Sequence, residues 1–369
     1  MRRSLALTLS IGGVVILGVP AAVARVNVDK TRLPVGKTTA LAQRNGLWTC
    51  QSNYPSNAPG AFTTGPWFNG DGTWDLTRKA SVDGAVKWPN ASTTVKVTGS
   101  NRLITGNGLP AKSATGVYPI ASTDDAYTYD RNPNSVKAQA ISITIPAAPR
   151  LNATPQCVGG MVGVSLEGPL IFNSVDAGGR DAVAYELQDT CGGHPERTGA
   201  YHYHGLSACA DKSKQYGWAF DGLAIWGPID PSTGNELTNA DLDECHGTTS
   251  VITIDGRKSR TYHYVANYEY PYTVGCYRAT PKASGSSGGE PGGQSGGQAS
   301  GQGMPTAQSQ GGQGQGPGQG PGQGQGPGQG QGPGQGQGPG QARPPGPGPG
   351  SGSHPDLGSQ STPPPPPAQ

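Results

Sequence analysis

The segment CGGHPERTGAYHYHGLSAC, residues 191–209, alternates tyrosine and histidine between two cysteines. Side chains two residues apart on a β-strand face the same side of the sheet. A strand here therefore places His202 and His204 together and turns Tyr201 and Tyr203 to the opposite face. A disulfide between the two terminal cysteines would close the segment into a loop. The pattern predicts a cysteine-closed hairpin that carries two imidazoles on one face.

The segments around this hairpin also carry the patterns of β-strands. Polar and apolar residues alternate in STTVKVTG (92–99) and in AQAISITIP (138–146), as expected of half-buried strands. Two further strand pairs are predicted around acid–glycine turns: residues 159–174 with Glu167-Gly168, and residues 217–228 with Asp221-Gly222.

Helical patterns are rare in this chain. The one specific helix prediction is residues 240–245, because Thr238 and Asn239 can cap its first turn and Asp241 lies near the positive end of its dipole. The fold predicted is mainly β. It is an antiparallel, sandwich-like, disulfide-stapled domain with one or two short helices, followed by a disordered tail.

The two ends of the chain differ in composition from its middle. Residues 1–24 combine a basic start, an apolar run and the small-residue site Ala22-Val23-Ala24, which predicts a removable export signal. An uncleaved anchor and a twin-arginine signal are the alternatives. Residues 283–369 hold 30 of the 61 glycines, so a disordered Gly/Gln/Pro-rich low-complexity tail is predicted. Between the ends we expect an N-terminal β-rich segment over 25–89 and the main domain over 90–282.

The six cysteines fit a protein that is secreted to the extracellular or periplasmic space. They are Cys50, Cys157, Cys191, Cys209, Cys245 and Cys276. An even number of cysteines in an exported chain predicts disulfides, for which about 15 pairings exist. We favour the local pairs Cys191–Cys209 and Cys245–Cys276, which leaves Cys50–Cys157 by elimination.

Charge argues against polyanionic partners. The chain has 26 Lys and Arg against 24 Asp and Glu, and removal of Arg2 and Arg3 with the signal leaves equal numbers. A mature chain without net charge lacks the excess of positive charge that is typical of nucleic-acid-binding proteins. We also expect no transmembrane segment in the mature chain, since no later apolar run approaches the roughly 20 residues that a bilayer requires. Association of the tail with a cell wall or matrix is left open.

Histidine is concentrated in one part of the chain. Five of the six histidines lie within residues 194–263: His194, His202, His204, His246 and His263. Imidazole nitrogen is a preferred ligand of zinc and copper. The sequence therefore predicts a copper or zinc site on these histidines, although alternating Tyr and His could also simply pack an aromatic layer.

Residues 245–276 repeat the hairpin pattern, with a cysteine, a nearby histidine, a Tyr-His-Tyr run and a closing cysteine. Val265 stands where the first copy has His204. A degenerate duplication would place two cysteine-closed hairpins side by side, so that their histidines converge. Tyr201, Tyr203 and Asp221 are then expected next to the metal ligands; the alternatives are packing for the tyrosines and a turn role for the aspartate.

Several motifs together carry a family resemblance. They are GAYHYHG (199–205), CGGH (191–194), FDGLAIWGP (220–228), LDEC (242–245) and TYHY (261–264). The chain resembles the YHYH domain family, which is named for the run Tyr201-His202-Tyr203-His204. The resemblance is specific over 159–278 and extends from about residue 90. Because the family has no established activity, it implies an exported domain and no particular reaction.

Three functions are therefore compatible with the sequence. The first is an exported protein of the YHYH type that binds copper or zinc through its histidine cluster. The second is a metal-dependent extracellular enzyme on the same residues. The third is a structural cell-surface or matrix module without a metal.

Overall fold

The computed structural model describes residues 27–55, 60–61 and 63–286. The predicted export signal, residues 1–24, lies outside the described residues, and so does the predicted tail from residue 287 onward. The described part is mainly β, which confirms the predicted fold class. No helix in these ranges combines the length and the apolar composition of a membrane span.

The strands, numbered in chain order, are β1 Leu33–Pro34, β2 Thr38–Thr39, β3 Leu47–Trp48, β4 Thr73–Trp74, β5 Thr93–Thr98, β6 Asn101–Gly106, β7 Ile141–Pro146, β8 Leu151–Gln156, β9 Met161–Ser165, β10 Leu170–Phe172, β11 Gly193–Pro195, β12 Tyr201–Tyr203, β13 Gln215–Ala219, β14 Ala224–Trp226, β15 Gly247–Ile254, β16 Arg257–Val265, β17 Tyr277–Ala279 and β18 Ser284–Ser286. The helices of the described residues are the α-helix α1 Ala182–Tyr185 and the 3₁₀ turns Asp125–Thr128 and Asn239–Asp241.

An eight-stranded sheet forms the centre, in the order β11-β12-β10-β9-β13-β14-β16-β15. The strand pairs β9–β10 and β13–β14 are the two predicted around acid–glycine turns. The sheet is mixed, whereas a purely antiparallel one was expected, because β10 pairs with β12 and β14 pairs with β16 in parallel. A parallel pair needs a crossover connection, and each crossover here contains a short helical segment, α1 in one and the 3₁₀ turn Asn239–Asp241 in the other.

The sheet has an approximate two-fold axis between β9 and β13. Val164 of β9 pairs with Trp218 of β13 at its centre. Outward from there, β10, β12 and β11 on one side correspond to β14, β16 and β15 on the other. A shift of 54 residues along the sequence carries Gly163 onto Gly217 and Cys191 onto Cys245. The chain therefore contains two structural copies of one unit, which we name copy one, residues 161–209, and copy two, residues 215–276.

Each Tyr-His-Tyr run is fixed by two carboxylates that occupy matching places in the two copies. The hydrogen bonds run from Tyr201 to Asp189 at 2.8 Å, from Tyr203 to Glu167 at 2.6 Å, from Tyr262 to Asp243 at 3.2 Å and from Tyr264 to Asp221 at 2.6 Å. The 54-residue shift also carries the first two acids onto the last two. These buried phenol–carboxylate bonds hold each hairpin onto the sheet.

The duplication predicted from the sequence is therefore present, but the arrangement predicted for it is wrong. The hairpin of copy one forms one edge of the sheet, and the hairpin of copy two forms the opposite edge. Strands β12 and β16 are five strand spacings apart, which corresponds to roughly 24 Å. The two hairpins cannot bring their histidines together, because the approximate two-fold axis lies between the copies.

The three disulfides are Cys50–Cys157, Cys191–Cys209 and Cys245–Cys276, the pairs that the sequence favoured. The first connects the N-terminal segment to the strand before β9. Leu33, Leu47, Trp67 and Trp74 of that segment are buried in the same hydrophobic core as the central sheet. The N-terminal β-rich segment thus contributes directly to the core around the sheet.

A second, four-stranded sheet has the order β18-β7-β6-β5. Its strands β5 and β7 occupy the segments predicted at 92–99 and 138–146. Strand β18 was expected to belong to the tail, yet it pairs with β7, since strand pairing needs only backbone groups. Arg102 of β6 connects this sheet to the central one: it donates to both carboxylate oxygens of Asp255, at 2.9 and 2.8 Å, and stacks 3.6 Å from the ring of Trp218.

The helix predicted over 240–245 is instead the single 3₁₀ turn Asn239–Asp241. Its start is as expected, because Thr238 and Asp241 form a reciprocal capping box. Leu242 is already extended, so the turn ends there. The sequence missed α1, whose four residues are too few to show a helical period.

Because the two copies are equivalent, substitutions at equivalent glycines should lower the free energy of unfolding by similar amounts. An added Cβ at Gly193 would overlap the ring of Tyr201, and one at Gly247 would overlap the ring of Tyr262. We expect Gly193→Ala and Gly247→Ala each to lower the free energy of unfolding by about 1–3 kcal/mol through overpacking. Urea unfolding with the disulfides intact and a chelator present measures this.

Gly160→Ala is the matched control, because an added Cβ there meets nothing within 4 Å. Its free energy of unfolding should change by no more than about 0.5 kcal/mol. A large effect in only one copy would contradict the equivalence of the two hairpins.

Candidate metal centre

Three of the five predicted histidines meet at one point. His202 lies on β12, His204 follows that strand directly, and His194 of β11 pairs opposite His202. One ring nitrogen from each lies within 4.8 Å of those of the other two. The three side chains are buried, with residue exposures of 3–4%. Strand register and the period of two therefore bring three imidazoles to one buried place.

Two carbonyl oxygens fix the protons on two of these rings. Nδ1 of His202 lies 3.1 Å from the carbonyl oxygen of Ala200, and Nδ1 of His204 lies 2.5 Å from that of Asn173. A carbonyl oxygen only accepts hydrogen bonds, so each Nδ1 must carry a hydrogen and donate it. In a neutral imidazole the other nitrogen, Nε2, then has a bare lone pair.

The bare Nε2 atoms of His202 and His204 face each other at 3.1 Å. Two lone pairs at this distance repel unless a cation or a proton lies between them. Burial lowers the pKa of His202 to about 3 and that of His204 to about 4, so neither ring holds a second proton near neutral pH. A metal ion between the rings satisfies both nitrogens.

His194 presents its nitrogens to the same space. Among the described residues, neither its Nδ1 nor its Nε2 has a hydrogen-bond partner, although both atoms are buried. Burial lowers the pKa of His194 well below its usual value, and the neighbouring histidines lower it further. An unpaired buried imidazole is costly, which is the expected condition of a ligand that lacks its ion.

Glu186 is a fourth group at this place, and the sequence analysis missed it. Its Oε2 lies 3.5 Å from Nε2 of His194 and 3.3 Å from Nε2 of His204. Within the part of the chain that the structure describes, this oxygen accepts no hydrogen bond. Burial, followed by the charges of Asp176 and Asp130, raises the pKa of Glu186 well above its usual value.

Helix α1 and the half-buried Lys79 position Glu186. Asp181 caps the helix by accepting from the backbone N–H of Ala184, and Glu186 follows the helix directly. The Lys79 ammonium donates to the carbonyl oxygens of Val183 and Glu186, both at 2.5 Å. Burial lowers the pKa of Lys79 to about 7. One sequence signal could have identified Glu186. It is the acid of the run AVAYEL, which is otherwise apolar, and an acid is rarely buried without a specific role.

His246 lies outside the cluster, contrary to the expectation. It occupies the place of Gly192 in copy one, with φ of 71° against 84°, so it corresponds to no histidine there. Its Nδ1 lies 2.9 Å from the carbonyl oxygen of Thr273, and its Nε2 lies 2.8 Å from Oδ1 of Asn239. Both nitrogens are already engaged in copy two.

His263 is also outside the cluster, although it is the true counterpart of His202. Its Nδ1 lies 3.1 Å from the carbonyl oxygen of Thr261, the same bond that His202 makes. Thr248 pairs opposite His263 where copy one has His194, and Val265 stands in the place of His204. Of the three clustered histidines, copy two thus keeps a counterpart of His202 alone, and it lacks the groups that would converge on that ring.

The three residues expected beside the metal have other contacts. The hydroxyls of Tyr201 and Tyr203 bind Asp189 and Glu167 on the face of β12 away from the histidines. Asp221 accepts from the hydroxyl of Tyr264 in copy two. In the described residues these side chains contribute to packing and not to the histidine cluster.

The geometry of the cluster fits a transition metal. Zn–N bonds of about 2.0–2.1 Å would place an ion between two nitrogens 3.1 Å apart with an N–metal–N angle of about 100°. The donors present are imidazole nitrogens and a carboxylate oxygen. Imidazole suits zinc, copper, iron and nickel, so the site accommodates the predicted metals without distinguishing them.

The histidine cluster lies in a part of the chain that matches a known protein family. Residues 142–238 match the family model described as YHYH protein. The match covers β8 to β14 and therefore includes the histidine cluster, Glu186 and the Cys191–Cys209 disulfide. It confirms the predicted resemblance and lies within the domain expected over 90–282. No curated protein and no solved structure gave a significant match.

The structural role of Asp221 gives a pH test. Burial raises its pKa to about 6, above the value of an unfolded aspartate. Between these two pKa values the folded state holds a proton that the unfolded state has released, so stability falls as pH rises. We expect wild type to lose about 3 kcal/mol relative to Asp221→Asn between pH 3 and pH 7.

Denaturant unfolding of both proteins at a series of pH values, with a chelator present, measures this difference. The comparison removes the contributions of other acids, because both proteins share them. Parallel pH profiles would contradict the buried structural role of Asp221.

Proposed function

We propose that this protein binds a transition metal ion, copper or zinc, through His194, His202 and His204. One observation carries the proposal: two buried Nε2 atoms, each left bare by a carbonyl bond to Nδ1, face each other at 3.1 Å. Their low pKa values disfavour a bridging proton near neutral pH. A metal cation between the two rings would satisfy both nitrogens.

Copy two provides an internal comparison that supports metal binding over a packing role. His263 makes the same Nδ1 bond as His202, so that bond belongs to the fold of either copy. A packing role would need nothing more than this bond and burial. Copy one adds His194 and His204, whose free nitrogens point to the same space.

The disulfides support a location outside the cytoplasm. All six cysteines are paired, as is typical of proteins that fold in oxidising compartments. Together with the export signal predicted over 1–24, this favours a secreted protein that holds its metal in the extracellular or periplasmic space. Storage or presentation of the ion at the cell exterior is the role that we propose.

A second candidate function, a metal-dependent enzyme, is favoured by one cavity. Its volume is about 350 Å³, within the size range of ligand sites. Gly192 and Gly205 line it, and Gly205 directly follows the ligand His204. Turnover of an ester, peptide or phenol probe by the metal-loaded protein, abolished in Gly205→Leu with the metal still bound, would favour catalysis over storage.

The metal proposal is tested by removing two ligands together. We expect the double variant His202→Ala, His204→Ala to lose stoichiometric copper or zinc, because only one imidazole of the cluster is left. Elemental analysis of purified, tag-free protein, before and after loading with each metal, measures the content. The melting temperature of wild type should rise on loading, and that of the variant should not.

His263→Ala is the matched control, since it removes an equally buried imidazole with the same backbone bond. Its metal content should equal that of wild type. Wild-type protein that stays free of copper and zinc after loading would rule out the proposal.

A further inference from the structure

We infer that Glu186 is the fourth ligand of this centre and that its carboxylate makes the site select a divalent ion over a soft monovalent one. The inference rests on the proposed function, because it concerns the same ion. It adds a residue from outside the named histidine motif. It also states which class of ion the centre takes.

The contact between Glu186 and His204 is the first argument. Nε2 of His204 is bare, so it cannot donate to Oε2 of Glu186 across their 3.3 Å separation. In its ionised form, Glu186 therefore sets a carboxylate lone pair against that of His204, as His202 does with its Nε2. Glu186 is only 9% exposed, and nothing in the described ranges donates to this oxygen. One cation would satisfy the carboxylate and the imidazoles together.

The local charge is the second argument. Asp176 and Asp130 are buried and act on Glu186 as like charges. The cations that act on it are Lys79 and Arg180. Arg180 offsets the charge of Asp176 at 2.6 Å, so the carboxylates of Asp130 and Glu186 are left beside the ammonium of Lys79. A place enriched in buried carboxylates stabilises a doubly charged ion more than a singly charged one.

Donor type is the third argument. Soft monovalent ions such as Cu(I) prefer thiolate and thioether ligands. The cysteines of this chain are all in disulfides, so they offer no thiolate. Three imidazoles and a carboxylate form a harder set that suits a divalent transition metal.

Copy two supplies an independent argument. The 54-residue shift leads from Glu186 to Ala240, while Thr248 and Val265 stand in the places of His194 and His204. Copy two therefore lacks the carboxylate along with the two imidazoles and keeps only the counterpart of His202. If Glu186, His194 and His204 bind the same ion, a copy that does not bind it is expected to lack all three.

The test compares Zn(II) with Ag(I) in the full mature chain. Ag(I) is a soft monovalent probe that needs no reductant, so the disulfides stay intact. Calorimetric titrations in chloride-free buffer give both affinities for wild type and for Glu186→Gln. We expect the substitution to weaken Zn(II) binding at least about tenfold, as loss of a ligand contact does, and to change Ag(I) binding much less.

Glu244→Gln is the control, because Glu244 is a half-exposed carboxylate of copy two that pairs with Arg278. Its affinities should match those of wild type. Glu186→Asp, which keeps the charge on a shorter side chain, is the second variant if the glutamine variant does not fold. It should weaken Zn(II) binding and still favour Zn(II) over Ag(I).

The outcomes separate the two proposals. Wild type that binds neither of these ions and also takes up no copper overturns the metal site itself. Wild type that binds Zn(II), with equal affinity in Glu186→Gln, overturns only the assignment of Glu186. Equal losses for Zn(II) and Ag(I) in Glu186→Gln overturn the selectivity.

Discussion

Two backbone carbonyl oxygens, those of Ala200 and Asn173, determine the chemistry of this domain. They hold the hydrogens of His202 and His204 on Nδ1 and leave the opposite nitrogens without one. Burial then keeps a second proton away. The bare nitrogens follow from this constraint. The unpaired ring of His194 and the unpaired oxygen of Glu186 lie beside them, and the whole group is compatible with a metal ion at its centre.

The duplication separates what the fold requires from what the centre requires. Both copies keep the phenol–carboxylate bonds, the closing disulfide and a histidine bonded to a carbonyl two residues earlier. Those features stabilise a hairpin at the edge of a sheet. Only copy one adds converging polar atoms that the described structure leaves unsatisfied. Burial of such atoms lowers stability unless something binds them.

Structural features that depend on neighbouring residues, such as the two-residue period of a strand, could be predicted from the sequence. The pairing of His202 with His204 follows from the two-residue period of a strand, and both acid–glycine turns lie where expected. His246 follows Cys245 directly, whereas His194 lies three residues after Cys191, so the backbone of His246 corresponds to Gly192 and its ring lies elsewhere. Glu186 has no local periodic signal. Its position depends on a crossover and on contacts with Lys79, which lies about a hundred residues earlier.

The Cys191–Cys209 bond encloses all three histidines in one covalent ring of the chain. Before oxidation, these side chains belong to an open segment whose entropy opposes their meeting. Closing this ring lowers the entropy cost of bringing the three side chains together, so oxidation of the two thiols would favour binding of the proposed ion. Under reducing conditions, the same segment would bind the proposed ion less tightly.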